Sequence, residues 1–200
     1  MPIMATLKQG RPPLKFYPVT KSRWAHFEQL FGKRGACGGC WCMAWRLPPA
    51  AWKAGKDGGN KLNMKSLVAR GKIPGILVYD GKRPMGWCSV APRSDFVTLQ
   101  RSRVLASIDG KSIWSISCLF VAKEYRRKGV SVQLLRAAGE YVRKRGGKII
   151  EGYPIVPYTD KMPDVFAWTG TVAAFKKAGF REAARRSRSR PMFRRYLSVE

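Results

Sequence analysis

The 200-residue chain is predicted to form a single α/β domain on a mixed sheet, and three observations carry that prediction. Residues 116–121 form a short apolar run rich in β-branched and aromatic side chains, the composition of a buried strand. Past Gly129 the apolar positions change period, and Val130, Leu134, Leu135, Ala138 and Val142 fall on one face of a helix. Strand and helix signals then alternate to the end of the chain, with no repeat and no linker between them.

Taken in order, residues 1–15 are basic and proline-containing and lack the apolar centre of a secretory signal. They are expected to be a lead-in to a domain spanning 16–200. Ser22 is placed to cap a helix running to about residue 31, with Trp24, Phe27, Leu30 and Phe31 on its apolar side. Gly32 begins a glycine-rich break. Residues 62–69 read as a second helix ended by Gly71 and Pro74. Residues 76–79 and 85–90 flank Asp80-Gly81, a hairpin signal. The stretch 93–110 is less regular, and Asp109-Gly110 turns the chain into a strand over 113–121. The helix after Gly129 ends near Gly146-Gly147. A strand over 148–153, a short helix over 172–178 and strands near 180–186 and 191–198 complete the prediction.

Composition bounds the function. With 45% hydrophobic residues the chain can bury a core without disulfides or a structural metal. No apolar run approaches the about 18 residues of a membrane span, so no membrane partner is expected and cytoplasm is the default. There are 39 Lys and Arg against 12 Asp and Glu, a formal charge of +27. Seven arginines lie between Arg181 and Arg195 against Glu182 alone. Such a surface draws anions and repels polycations, which disfavours polyamines and aminoglycosides and favours a neutral or anionic small partner. Nucleic acid or the ribosome is the rival partner, although no aromatic-studded nucleic-acid module is recognisable.

Arg126, Arg127 and Lys128 stand just before Gly129, where the strand turns into the helix. The first turn of a helix presents free N–H groups and a partial positive charge. Three cations and a glycine there suit a pyrophosphate. The run Arg126-Arg127-Lys128-Gly129-Val130-Ser131 resembles the acyl-CoA signature of the GNAT superfamily of N-acyltransferases: Arg or Gln, two variable residues, Gly, one variable residue, then Gly or Ala. Ser131 departs from the last position but is small. Phe175-Lys-Lys-Ala-Gly-Phe180 resembles a second family motif, an aromatic followed four residues later by Gly-Phe. The resemblance covers about 16–198 and is strongest over 114–180.

This resemblance implies a mixed, mostly antiparallel sheet whose central parallel strands splay apart between flanking helices. It implies acetyl-CoA as acyl donor and an amine, on a small molecule or a protein, as acceptor; a homodimer is one assembly it allows. The backbone of Leu119, Phe120 and Val121 would hold the pantetheine arm in the gap. Arg126, Arg127, Lys128, Gly129, Val130 and Ser131 would hold the phosphates, with Phe175 completing the coenzyme set. The rival reading is a nucleic-acid- or ribosome-associated protein on a catalytically weak scaffold of this kind.

Amide formation from a thioester needs an unprotonated amine and usually a proton for the departing thiolate. Some relatives carry a strand glutamate, which falls on Glu151, where pairing with one of the many arginines at a strand end is the alternative, and a helix tyrosine, which falls on Phe175, a residue with no proton to give. Tyr158 is the expected hydroxyl in its place, with Tyr153, water or no acid as alternatives. The loop 154–169, carrying Tyr158, Phe166 and Trp168, is long enough to wall an acceptor pocket.

Cys37, Cys40 and Cys42 form the other unusual cluster, open to packing, metal or redox readings. A fourth metal ligand would have to be His26, Cys88 or Cys118, and no metal is assigned. Trp41, Met43, Trp45 and Trp52 around the cluster read as a flat-walled apolar pocket on the acceptor side, with a dimer face or core filling as equal alternatives.

Overall fold

The computed structural model describes residues 3–5, 13–157 and 162–198. In chain order the elements are β1 (Ile3–Ala5), β2 (Leu14–Pro18), α1 (Trp24–Phe31), α2 (Pro49–Ala54), α3 (Gly59–Ala69), β3 (Gly75–Asp80), β4 (Arg83–Pro92), α4 (Val97–Arg101), β5 (Trp114–Val121), α5 (Val130–Arg143), β6 (Ile149–Gly152), α6 (Val172–Lys177), β7 (Arg181–Ala184) and β8 (Met192–Tyr196). The strands form one sheet in the order β1-β2-β3-β4-β5-β6-β8-β7. Only β5 and β6 run parallel; every other neighbouring pair is antiparallel.

Two local features open the sheet at its centre. The parallel pairing of β5 with β6 extends only from Trp114–Ile116 against Ile150–Gly152. Past β6, Pro154 has no N–H to continue a ladder, and the chain turns to bridge Ile155 with Thr171 instead. On the other side of β5, Ser89 faces Cys118 but Val90 faces Ile116, so Ser117 is the extra residue of a β-bulge. The Ser117 hydroxyl donates to Ser89 Oγ, which donates to the Pro74 carbonyl, so the irregularity leaves both buried hydroxyls bonded. The bulge also resets which face each β5 side chain meets.

Helix α5 covers one face of the sheet. Leu134, Leu135, Ala138 and Val142 are fully buried against residues such as Ile76, Val78, Val90, Ile116 and Ile150. Each such large apolar side chain contributes about 1.5–3 kcal/mol by leaving water. The opposite face is covered by α1, α3 and the glycine-rich loop, with Phe27, Met64 and Trp41 packed on Leu77 and Trp87. Among the described residues no helix is long and apolar enough to cross a membrane.

Several expectations are corrected here. Ser22 lies in a tight turn, Lys21–Arg23, and its hydroxyl bonds Thr20 Oγ1, so α1 starts at Trp24 with no side-chain cap. Helix α3 starts at Gly59, before the expected residue 62, and the short helices α2 and α4 were not anticipated. The boundary expected at residue 16 falls inside β2, and β1 pairs with β2 from within the expected lead-in.

Candidate active site

The divergence of β5 from β6 leaves a groove of about 470 Å³. Leu119, Phe120 and Val121 line it from β5, and Arg126, Arg127, Gly129, Val130 and Ser131 from the loop and first turn of α5. Gly129 makes the turn with φ of 77°. A Cβ there would meet no atom within 4 Å, so glycine is required by the left-handed backbone and not by crowding. Helix α5 has neither a side-chain cap nor an acidic residue in its first turn. Its ladder begins with Val132 N–H donating to the Gly129 carbonyl, which leaves the Val130 and Ser131 amides without an acceptor inside the helix. Arg127 is exposed at the groove, whereas Lys128 donates from the outer surface to the Glu124 carbonyl and does not line it.

A strap from the segment before α6 closes the other wall. Val165, Ala167, Trp168, Gly170 and Thr171 line the groove, and Leu119 N–H donates to the Trp168 carbonyl at 2.6 Å. Ala122 N–H donates back to Met85 on β4, so by alternation Leu119 and Val121 turn their backbone groups toward the gap. They are not free, as the resemblance implied: Leu119 holds the strap, and the Val121 carbonyl accepts from Arg126 Nε at 3.0 Å. Phe175 lies beneath the groove, not in its wall. It is fully buried against Phe180 and Phe193, and a Cβ on Gly152 or Gly170 would collide with its ring.

Glu151 is also fully buried. One carboxylate oxygen accepts from Arg93 at 3.2 Å and from the Tyr153 hydroxyl at 2.7 Å; the other accepts from Arg194 Nε at 2.7 Å. Arg194 reaches on to both oxygens of Asp109, and Tyr153 shares its hydroxyl with Ser115. Burial, then the Glu151 charge, raises the Tyr153 hydroxyl far above its ordinary range. A carboxylate bonded on both oxygens and shielded from solvent is not placed to take a proton from an incoming amine. Tyr158 lies outside the described residues.

A family model for the acetyltransferase (GNAT) family matches residues 44–154, more than half of the chain. The chain belongs to the GNAT acetyltransferase family. Its fold is similar to that of a GNAT-family acetyltransferase from Listeria monocytogenes, with 8% identity over 98% of this chain and 100% of that one and a TM-score of 0.59. It is similar to an uncharacterized protein from Bacillus halodurans, with 14% identity over 99% and 91% and a TM-score of 0.58. It is also similar to the PaiA N-acetyltransferase of Thermoplasma acidophilum in complex with coenzyme A, with 12% identity over 92% and 99% and a TM-score of 0.51. No curated protein sequence matches the chain.

On this GNAT scaffold the cysteine-rich loop divides between core and groove. Trp41 and Cys42 are held at positive φ, which a well-packed setting must sustain. Trp41 stacks on Phe31, and Cys42 Sγ lies 3.0 Å from Cys118 Sγ and accepts from Trp87 Nε1. Trp41 and Met43 are therefore core residues and do not line the groove, and Trp52 packs under Lys56. Only Trp45 of the four stands at the strap, edge-on to Tyr153 and Trp168. Among the described residues no three His, Cys, Asp or Glu side chains converge as metal ligands. Cys37 is exposed and lines the groove beside Ala36, which no spacing in the sequence foretold.

Proposed function

We propose that this protein transfers an acetyl group from acetyl-CoA to an amine by direct attack. The observation that carries the reading is the uncapped start of α5 at Gly129, opening into the groove between the diverging strands beside Arg127. Unpartnered amides, a helix N-terminus without acidic residues and an exposed guanidinium form a donor set suited to a diphosphate. When bound, the coenzyme supplies an activated acyl group. The chain's own part is to hold the phosphates at Arg126, Arg127 and the Gly129–Ser131 turn and to offer backbone groups of Leu119 and Val121 to the arm. Pairing at Leu119 requires the Trp168 carbonyl to give up that amide. Lys128 is assigned no direct contact, and Phe175 supports the floor.

Glu151 is assigned to the fold, and we infer that the amine reaches the groove already neutral. Tyr158 is retained as the candidate donor to the thiolate, a reading supported by its place after β6. Tyr158→Phe lowering kcat with unchanged coenzyme affinity would support it; an unchanged kcat would remove it. Cytoplasm remains the proposed location.

The central test is calorimetric titration of acetyl-CoA, CoA and desulfo-CoA into the purified protein. Micromolar binding that weakens with salt is expected, because the contacts are charged. A folded protein that binds none of the three overturns the proposal.

A further inference from the structure

Arg190, in the loop between β7 and β8, differs from the most deeply buried arginines. The side chains of Arg46, Arg93 and Arg194 are 4%, 13% and 2% exposed, and each meets a carboxylate: Asp95, Glu151, and Glu151 with Asp109. Arg190 is half-buried and meets none among the described residues. Its guanidinium donates to Thr169 Oγ1 at 3.3 Å and lies over the rings of Trp168 and Trp45, 5.6 and 6.0 Å from their centroids. Burial lowers its pKa from the ordinary arginine value. A partly desolvated cation with no counter-charge is costly unless something else supplies the charge.

The surroundings place that cation beside the groove. Val156 N–H donates to the Ser189 carbonyl, and Ile155 N–H to the Gly170 carbonyl, so the segment after β6 ties the Arg190 loop to the strap. Trp168 is shared between the two regions. It lines the groove, its carbonyl holds Leu119 on β5, and its ring carries Arg190. Trp45 and Trp168 are both partly exposed and offer flat apolar walls next to the guanidinium. An arginine fork matches a planar carboxylate in two parallel hydrogen bonds.

We propose that Arg190 binds a carboxylate carried by the acceptor, so that the acceptor class is amines that also bear a carboxylate and an apolar body, such as apolar amino acids. This inference rests on the acyltransferase reading for the amine, but the anion site stands on Arg190, Trp45 and Trp168 alone. The high positive charge of the chain would speed the approach of such an acceptor and oppose polycationic amines.

The test compares amines that differ only by the carboxylate, phenylalanine against 2-phenylethylamine and tryptophan against tryptamine, with acetyl-CoA as donor. The wild type is expected to favour the carboxylate-bearing member by roughly ten- to a hundredfold in kcat/KM, the range of a charged hydrogen-bonded contact. Arg190→Gln should collapse that ratio, mainly through KM, and Arg190→Lys should keep part of it. A ratio unchanged in Arg190→Gln, or a wild-type preference for the plain amines, overturns the proposal. So does a preference for phosphoethanolamine over every carboxylate tested, which would assign the site to phosphate.

A second arm needs no turnover. Calorimetry with 3-phenylpropionate and 3-phenylpropanol on CoA-saturated protein should show binding of the acid only, lost in Arg190→Gln. Equal binding of acid and alcohol, or an acid affinity indifferent to the substitution, overturns the proposal whether or not any amine is acetylated. Failure of acetyl-CoA itself to bind would instead remove the acyltransferase reading; the acid and alcohol would then be titrated without CoA and judged alike.

Discussion

Arg93, just after β4, and Arg194, on β8, are withdrawn from water beside β6, where each donates to Glu151 and Arg194 also grips Asp109. At the start of α5, Arg127 is exposed and forms no ion pair among the described residues, beside a helix end with no acidic residue in its first turn. The first region is saturated: Glu151 alone accepts three hydrogen bonds from Arg93, Tyr153 and Arg194. The second holds its hydrogen-bonding capacity open to the groove. In a chain of charge +27 the number of cations locates nothing. What separates a structural arginine from a ligand-binding one is whether the protein has already supplied its anion.

The largest effect that would break this contrast comes from the saturated side. Glu151→Ala leaves Arg93 and Arg194 in the interior without their shared carboxylate, and removing one partner of a buried pair costs about 3–5 kcal/mol. A lower denaturant midpoint is expected, with coenzyme affinity of the folded fraction retained. A variant of normal stability whose kcat alone collapses would return Glu151 to the role of base. On the open side, Arg127→Glu should weaken acetyl-CoA by roughly ten- to a hundredfold, as loss of a charged contact does. The same reversal at Lys128, which faces away, should cost far less. Both should leave stability within about 0.5 kcal/mol, as ordinary surface substitutions do. Equal losses at the two positions would show that net charge, not the geometry of the turn, draws the coenzyme.

The same contrast explains what could be read in advance. The strand, Gly129 turn and α5 were legible because a short apolar run rich in β-branched and aromatic residues changes to a helical period across a glycine that must adopt a left-handed backbone. The basic loop before Gly129, to which we assign the diphosphate, was legible for the same local reason. The strap and Cys37 were not, since their place in the groove is set by Ile155 bridging Thr171 and by a loop of successive left-handed residues, pairings that leave no periodicity. At Glu151 a carboxylate between apolar strand residues fits either a catalytic base or a partner for one of the many arginines, and nothing local says that the partner is Arg194, far along the chain. Phe175 matched its motif and still serves as floor, because Gly152 and Gly170 leave room for its ring below the gap.

Thiol reactivity sharpens the comparison at a smaller scale. Cys37 is exposed in the groove wall, while Cys42 and Cys88 are buried, and burial raises both of those thiols well above the ordinary range. Thiolate is the reactive form. In native protein a disulfide reagent should therefore modify Cys37 readily and reach Cys42 and Cys88 only on unfolding. Saturating CoA should slow modification of Cys37 several-fold, and its failure to do so would move the coenzyme away from that wall.

The smallest expected effect is the pH dependence at the edge of the saturated network. The hydrogen bond from Arg194 holds the Asp109 carboxyl below its usual range, against the opposing pull of burial. A carboxyl depressed in the folded state stabilises above its unfolded pKa, about 3.9, and loses that contribution as pH falls through the lower folded value. The difference in Tm between wild type and Asp109→Asn should then stay constant from neutral pH down to about 5 and shrink only in stronger acid. A difference that already fades between pH 7 and 5 would assign the loss to another group. One that persists in strong acid would mean that the Asp109 charge contributes nothing, and the network would then be saturated by Glu151 alone.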